Sequence, residues 1–298
     1  MRTHFARFAA VAAAIAVVAT TSADQRATRE RGILVSVSTN SDAPVTDLAA
    51  TDFTVREDGV AREVIRVAAA PPPSHVMLLV DDSQAMQSNL TYLRPAMAAF
   101  LAKMAALSPA PQQALMTFGE RPSRRADFSP NPEALLDAAK RIFPVMGSGA
   151  YFLQAITDAC RDLRKREAPS PVIVAFVAEG GPEFSTELHS QVADALRAAG
   201  ASLWAVTLQQ GAAQSTATSA ARERASVLGD VTGDSGGLNK PVLSGQSIEP
   251  GFNTVAALIT SRYLVTYGRP ESMIPPDKIE VTARRRDVRV RASRWAGR

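Results

Sequence analysis

From Val76 to Val80 five apolar residues run without interruption, and the chain then turns at once to Asp81, Asp82 and Ser83. A short unbroken apolar run suits a strand buried on both faces, in the middle of a parallel sheet. The pattern returns at 114–118, 172–177 and 203–208. Between these runs the apolar positions fall at helical spacing. In 90–107, Leu93, Met97, Phe100, Leu101 and Met104 share one face, and 132–143, 151–166 and 188–199 also read as helices. Asn131 and Pro132 open the second of these, Arg164, Lys165 and Arg166 end the third, and Gly200 closes the fourth. Strands alternating with helices predict an α/β fold, a doubly wound and mostly parallel sheet flanked by helices.

The flanks follow a different period. Ile33, Val35 and Val37 alternate with Leu34, Ser36 and Ser38, and Phe53 and Val55 alternate with polar neighbours up to Asp58-Gly59, a hairpin turn signal. A return strand is predicted over 60–67, followed by a stiff connector at Pro71, Pro72 and Pro73. Near the other end Tyr263, Val265 and Tyr267, then Ile279, Val281 and Ala283, then Val288, Val290 and Ala292 repeat the strand period. These segments are expected to join the first ones in a small accessory β-sheet. Residues 209–225 are compatible with a helix, 229–245 read as a mobile loop, and 252–259 as a last helix. The expected organisation is 1–23 a signal peptide, 24–73 an N-terminal β unit and proline linker, 74–260 the α/β domain, and 261–298 the closing strands.

Composition changes this picture at three points. Arg2 and Arg7 precede an apolar stretch over 8–19 and the small residues Thr21, Ser22 and Ala23, the pattern of a secretory signal. That stretch is shorter than the ~20 residues of a membrane span, so the expectation is an exported protein, periplasmic or secreted, with no span after cleavage. Cys160 is the only cysteine, so no internal disulfide can form and the core must hold the fold. Its helical neighbours Ile156, Ala159 and Leu163 mark it as a buried structural thiol. Seven arginines crowd 284–298, with Trp295 the single aromatic residue among them and none alternating through the strand, so an edge strand's polar face is preferred to nucleic-acid binding.

Asp81-x-Ser83 at a strand end, a hydrophobic helix after it and a later buried strand ending at Glu179-Gly180 resemble a von Willebrand factor A domain. Pro44-Val45, Leu48, Asp52-Phe53, Val55 and Glu57-Asp58-Gly59, with the closing strands from Tyr263 to Ala292, are similar to an exported bacterial group, the acidobacterial-type von Willebrand factor A-related proteins. The resemblance implies a Rossmann-type fold with a metal-ion-dependent adhesion site at the strand tops. There Asp-x-Ser-x-Ser, a threonine from a second loop and an aspartate from a third hold Mg²⁺. Here Ala85 stands at the second serine, Ala150 at the threonine, and Glu179 in place of the third-loop aspartate; Gln154 replaces a further aspartate of the pattern. Alanine offers no ligand atom, and Mg²⁺ needs oxygens at near-octahedral positions. Asp81, Ser83 and Glu179 are the metal-ligand candidates that remain, in a site expected to be eroded. No cofactor is expected, Mg²⁺ being the one candidate.

The function implied is non-enzymatic: an adhesion-type module that binds an envelope or extracellular protein through its strand-top loops, without metal. Asp82, Gln84, Ser148, Tyr151 and Glu183 are the candidate partner-binding residues. One alternative is a Mg²⁺-dependent adhesion domain with reorganised ligands. Another is a serine hydrolase using Ser83, which needs a base; the histidines are His4, His75 and His189. His75 precedes the central strand, ~17 Å or more from its far end. No Gly-x-Ser-x-Gly turn exposes Ser83, and Gly147-Ser148-Gly149 is too short to cradle a dinucleotide pyrophosphate.

Overall fold

The structure, a computed structural model, describes residues 28–209, 218–270 and 274–295. The signal-peptide expectation for 1–23, with His4, lies outside the described residues. The chain begins with β1 (Thr28–Thr39), β2 (Phe53–Glu57), β3 (Val60–Arg62) and β4 (Val64–Ala69). The α/β part then runs through β5 (His75–Val80), α1 (Leu90–Ala105), β6 (Gln112–Thr117), β7 (Ser123–Ser129), α2 (Glu133–Lys140), α3 (Phe152–Lys165), β8 (Val172–Ala178), α4 (His189–Ala199) and β9 (Ser202–Leu208). After α5 (Ser219–Ser226) come a π turn (Val227–Val231) and the single turn α6 (Thr232–Asp234), then β10 (Asn239–Val242) and α7 (Ile248–Thr260). The strands β11 (Tyr263–Pro270), β12 (Ile279–Ala283) and β13 (Val288–Ala292) close it.

The main sheet has the order β10-β9-β8-β5-β6-β7. It is parallel except for β7, which pairs antiparallel with β6 at the edge. The unbroken apolar runs are its central strands because each strand buries both faces. Along β5, Val76, Leu78 and Val80 pack with Leu93, Met97 and Phe100 of α1 and Phe252 of α7. Met77 and Leu79 pack on the other side with Phe152 and Ile156 of α3 and Val192 and Leu196 of α4. Phe100, Phe152, Phe176, Trp204 and Phe252 are essentially inaccessible, each stabilising the fold by about 1.5–3 kcal/mol relative to exposure. Asn131 Oδ1 accepts from the Glu133 amide at 3.0 Å, and Gly200 ends α4 with φ +62°.

Two segments of this sheet depart from expectation. The 229–245 stretch, expected as a mobile loop, forms the π turn, α6 and β10, and β10 pairs in parallel with β9 from Asn239↔Ala205 to Val242↔Leu208. Gly237 serves close approach instead of mobility: a Cβ there would stand 1.6 Å from the Leu203 carbonyl oxygen. β7 was not anticipated, because as an edge strand it keeps a mostly polar sequence, Ser-Arg-Arg-Ala-Asp-Phe-Ser.

The N- and C-terminal segments combine, but in two small sheets where one was expected. One has the order β13-β1-β11-β4 and the other β12-β2-β3. The single return strand expected over 60–67 breaks at Glu63, so β3 pairs with β2 while β4 pairs with β11. Asp58 and Gly59, both at positive φ, make the hairpin turn between β2 and β3. Val35, Val37, Phe53, Val55, Tyr263, Val265 and Ile279 form one core shared by the two sheets. Several arginines of the tail are ion-paired, Arg291 with Asp42, Arg285 with Asp47 and Arg294 with Asp234.

Candidate functional site

β5 is central, with β6 on one side and β8 on the other, so the loops leaving these strands diverge around its carboxyl end. That crevice is where α/β sheets bind ligands. Asp81 and Asp82 continue directly from β5 and are buried. Asp81 Oδ1 accepts from the Ser83 amide at 2.9 Å and Oδ2 from the Ala178 amide at 3.1 Å, joining the β5 and β8 strand ends. Burial pushes the Asp81 carboxyl above the usual carboxylate range, against these hydrogen bonds. Asp82 Oδ1 accepts from the Gly119 amide at 2.6 Å and its Oδ2 from Arg125 at 3.1 Å, joining β5 to the β6 loop.

Ser83 is buried, and its Oγ makes no hydrogen bond of regular geometry among the described residues. Gly181 lies against it: a Cβ there would sit 3.6 Å from Ser83 Oγ and 3.2 Å from the Ala85 methyl. Gly119 is closer still, its Cβ position only 2.4 Å from the Ser83 nitrogen. Val145 donates to the Asp82 carbonyl at 2.8 Å, and the Gly147 amide to Gln84 Oε1 at 2.9 Å. The Ala150 amide donates to the Pro182 carbonyl, and the Phe184 amide to the Ala150 carbonyl, each at 2.8 Å. The three loops bearing Ser83, Ala150 and Glu179 are thus brought together.

Gln84, Ala85, Ser148, Gly180, Gly181 and Pro182 are among the residues lining a cleft of about 480 Å³ at this edge. Of the residues predicted to meet a partner, Gln84 is exposed and Ser148 and Tyr151 are half-buried. Asp82 and Glu183 are not available for such contact; both are buried and engaged internally. Glu183 Oε1 accepts from the amides of Phe152, the first residue of α3, and Ser185, each at 3.1 Å. Burial raises its carboxyl, as it does that of Glu179. Gln154, at the aspartate position, receives no metal-type neighbour: its amide donates to Ser185 Oγ. Among the described residues no group of three or more His, Cys, Asp or Glu side chains is placed to hold a metal ion.

Neither His75 nor His189 is hydrogen-bonded to Ser83 among the described residues. His75 opens β5 at the other end of the strand, against Phe128, and His189 Nδ1 lies 2.6 Å from Glu223 Oε2.

Sequence reasoning missed Arg224, on α5. It is buried, donates to the carbonyls of Gly181 at 3.1 Å and Glu179 at 3.3 Å, and stands 3.9 Å from Glu183 Oε2. Nothing in the alanine- and arginine-rich stretch around it signals this role. It also missed three exposed apolar side chains. Phe143, Met146 and Phe184 are 65%, 61% and 49% exposed, on the loops that supply Gly147–Ser148 and Gly180–Pro182 to the cleft. The Tyr151 ring lies 5.9 Å from that of Phe184.

A mostly parallel sheet with helices on both faces and a three-loop cleft at its carboxyl edge defines a doubly wound α/β domain. Residues 76–181 match the family model of the von Willebrand factor type A domain, and the chain carries a von Willebrand factor A-related domain. Domains of this family are commonly protein-interaction modules and generally non-enzymatic. Among solved structures the chain is similar to the VWA domain of SpRpn10, at 18% identity over 61% of this chain and 94% of that one, TM-score 0.46. It is also similar to proximal thread matrix protein 1 from the mussel byssus, at 12% identity over 68% and 49%, TM-score 0.50. A third is the vWF domain of the type V pili tip protein Mfa5 from Porphyromonas gingivalis, at 11% identity over 63% and 95%, TM-score 0.46. No curated protein matches the chain.

Proposed function

We propose that this is an exported, non-enzymatic module that docks an envelope or extracellular protein on its strand-top loops, without a metal ion. The observation that carries the reading is that the two loops supplying Gly147–Ser148 and Gly180–Pro182 to the cleft also expose Phe143, Met146 and Phe184. Solvent-exposed aromatic and Met side chains are enriched in interface cores. Metal independence is supported by the donor chemistry. Ala85 and Ala150 stand at two ligand positions, and both Asp81 oxygens already accept backbone amides. These residues do not fit the octahedral oxygen set of Mg²⁺. Arg224 supports the same reading, because its guanidinium supplies a fixed positive charge to the third loop. Export rests on the N-terminal sequence pattern; no helix among the described residues is long and apolar enough to cross a membrane.

The test is capture from envelope extract in EDTA, with Phe184→Ser/Met146→Ser as the comparison. A protein retained by the parent chain and lost by the double variant is expected. Capture that needs Mg²⁺, or that the double variant keeps, would overturn the proposal. Melting in Mg²⁺, Mn²⁺ and EDTA is expected to give one midpoint, since a ligand specific to the folded state must raise it.

A further inference from the structure

Far from the strand-top cleft, a cavity of about 1000 Å³ separates the N-terminal edge of the parallel sheet from the β1-β11 sheet. Pro171 and Ser202, which begin or immediately precede β8 and β9, line it on one side, and Gly32 and Tyr267 on the other. Its size is that of a small-molecule site. Its charge is one-sided: seven cationic side chains line it against three carboxylates. Glu57 pairs with Arg62 at 2.9 Å and with Arg269 of the lining at 3.6 Å, Glu30 pairs with Arg66 at 3.7 Å, and Arg161 of the lining pairs with Asp158 at 2.6 Å; none of these carboxylates pairs with Arg262.

Arg262 is the residue that this fold does not otherwise explain. It is 5% exposed and lines the cavity. Its Nε donates to the Ile259 carbonyl at 3.0 Å, while its Nη2 is buried without a partner among the described residues. No carboxylate among the described residues forms an ion pair with it. Burial alone pushes this guanidinium down to about 10. A buried guanidinium without a counter-charge is costly and is rarely kept without a partner. Arg31, lining the same cavity, also has a buried Nε without a partner among the described residues. The apolar part of the lining includes Leu196 and the Trp295 indole, over which Arg197 lies at 5.5 Å.

We propose that this cavity binds a small organic oxyanion, a carboxylate or a phosphate, seated on Arg262. A planar guanidinium presents paired N–H groups matched to either oxyanion, and the apolar wall beside it accommodates the rest of the molecule. The site is independent of the strand-top cleft, which lies at the opposite edge of the sheet.

The experiment is thermal melting of the full chain at constant ionic strength in sodium phosphate, sodium benzoate or sodium chloride. A midpoint that rises with concentration in phosphate or benzoate beyond chloride is expected. A rise in phosphate alone identifies a phosphate ligand, and in benzoate alone a carboxylate; no rise beyond chloride in either overturns the proposal. Arg262→Met is expected to abolish the rise, and an undiminished rise in that variant also overturns it. Should Arg262→Met not fold, Arg262→Lys decides: it keeps the charge but not the fork, and calorimetric titration should show at least about tenfold weaker binding. Unchanged affinity in Arg262→Lys overturns the proposal. Phe184→Ser is expected to leave all these responses unaltered, separating this site from the docking surface.

Discussion

Arg224 reaches from α5 to the third strand-top loop and donates through Nη1 to the carbonyl oxygen of Gly181 at 3.1 Å. The same guanidinium holds the Glu179 carbonyl and faces Glu183, whose carboxylate in turn receives the first amide of α3. One buried cation therefore ties together the loops after β8 and before α3. Removing it leaves two carbonyls and a buried carboxylate without their partner. Arg224→Met is expected to lose about 3 kcal/mol of stability, read as a lower urea midpoint. A loss under 1 kcal/mol, on the order of an exposed ion pair, would show that the loops hold without it.

Gly119 gives a second, purely steric expectation. A Cβ at this position would stand 2.4 Å from the Ser83 nitrogen and 2.5 Å from the Asp82 carbonyl carbon, both backbone atoms that cannot swing aside. Gly119→Ala should displace the Asp82–Ser83 turn and cost about 3 kcal/mol. Gly59→Ala makes a useful contrast, since nothing stands within 4 Å of its Cβ position and only its φ of +81° opposes the change. Equal and small losses in both variants would contradict the close packing at the strand tops.

The central strands were legible because burial on both faces writes an unbroken apolar run, as in Val76–Val80 and Val172–Val177. Segments that bury only one face, or that meet polar backbone, write no such signal. Thus β7 carries no apolar pattern to mark it, and β10, with Pro241 inside it, reads as loop. At the site, the loops that converge could be read from Asp81, Ser83 and Glu179-Gly180, each at a strand end. Arg224 could not, because its partners are carbonyl oxygens, and backbone acceptors leave no residue type to pair with in the sequence. Glu183 was legible as an acid in the right loop but not as an internal cap, since only the fold brings the Phe152 amide to it.

Asp42 links β10 to the small sheets and sets an expectation for pH. It accepts from Lys240 at 2.8 Å and Arg291 at 3.2 Å. Its burial would raise the carboxyl, but Lys240, Arg291 and Arg289 together hold it below the ordinary value of 3.8. A depressed folded value means stability that is present above pH 3.8 and lost as pH falls through the folded value. Asp42→Asn, which tolerates the left-handed backbone at φ +63°, should lose about 2 kcal/mol at pH 7. The gap from the parent chain should close below pH 3.8 in urea melts run across the acid range. A gap that persists unchanged in strong acid would assign the loss to packing instead of charge.

The proposed metal independence also makes a constructive expectation. If methyl groups at 85 and 150 are what deny Mg²⁺ its oxygens, returning those oxygens should restore binding. Ala85→Ser, Ala150→Thr and Glu179→Asp in one chain place three oxygen ligands around Ser83, where Gly181 already leaves room beside its hydroxyl. Ala150 is fully buried, so the bulk of threonine must be separated from its chemistry. The control replaces Ala150→Thr with Ala150→Val, which has the same shape without the hydroxyl. Mg²⁺ at a hundredfold over its dissociation constant stabilises a folded-state site by about 2.7 kcal/mol. The expected result is therefore a Mg²⁺-dependent rise in melting midpoint for the threonine variant, a weaker rise for the valine control, and none for the parent chain. A parent chain that itself responds to Mg²⁺ would mean that Asp81, Ser83 and water suffice, and the metal-independent reading would fall with it.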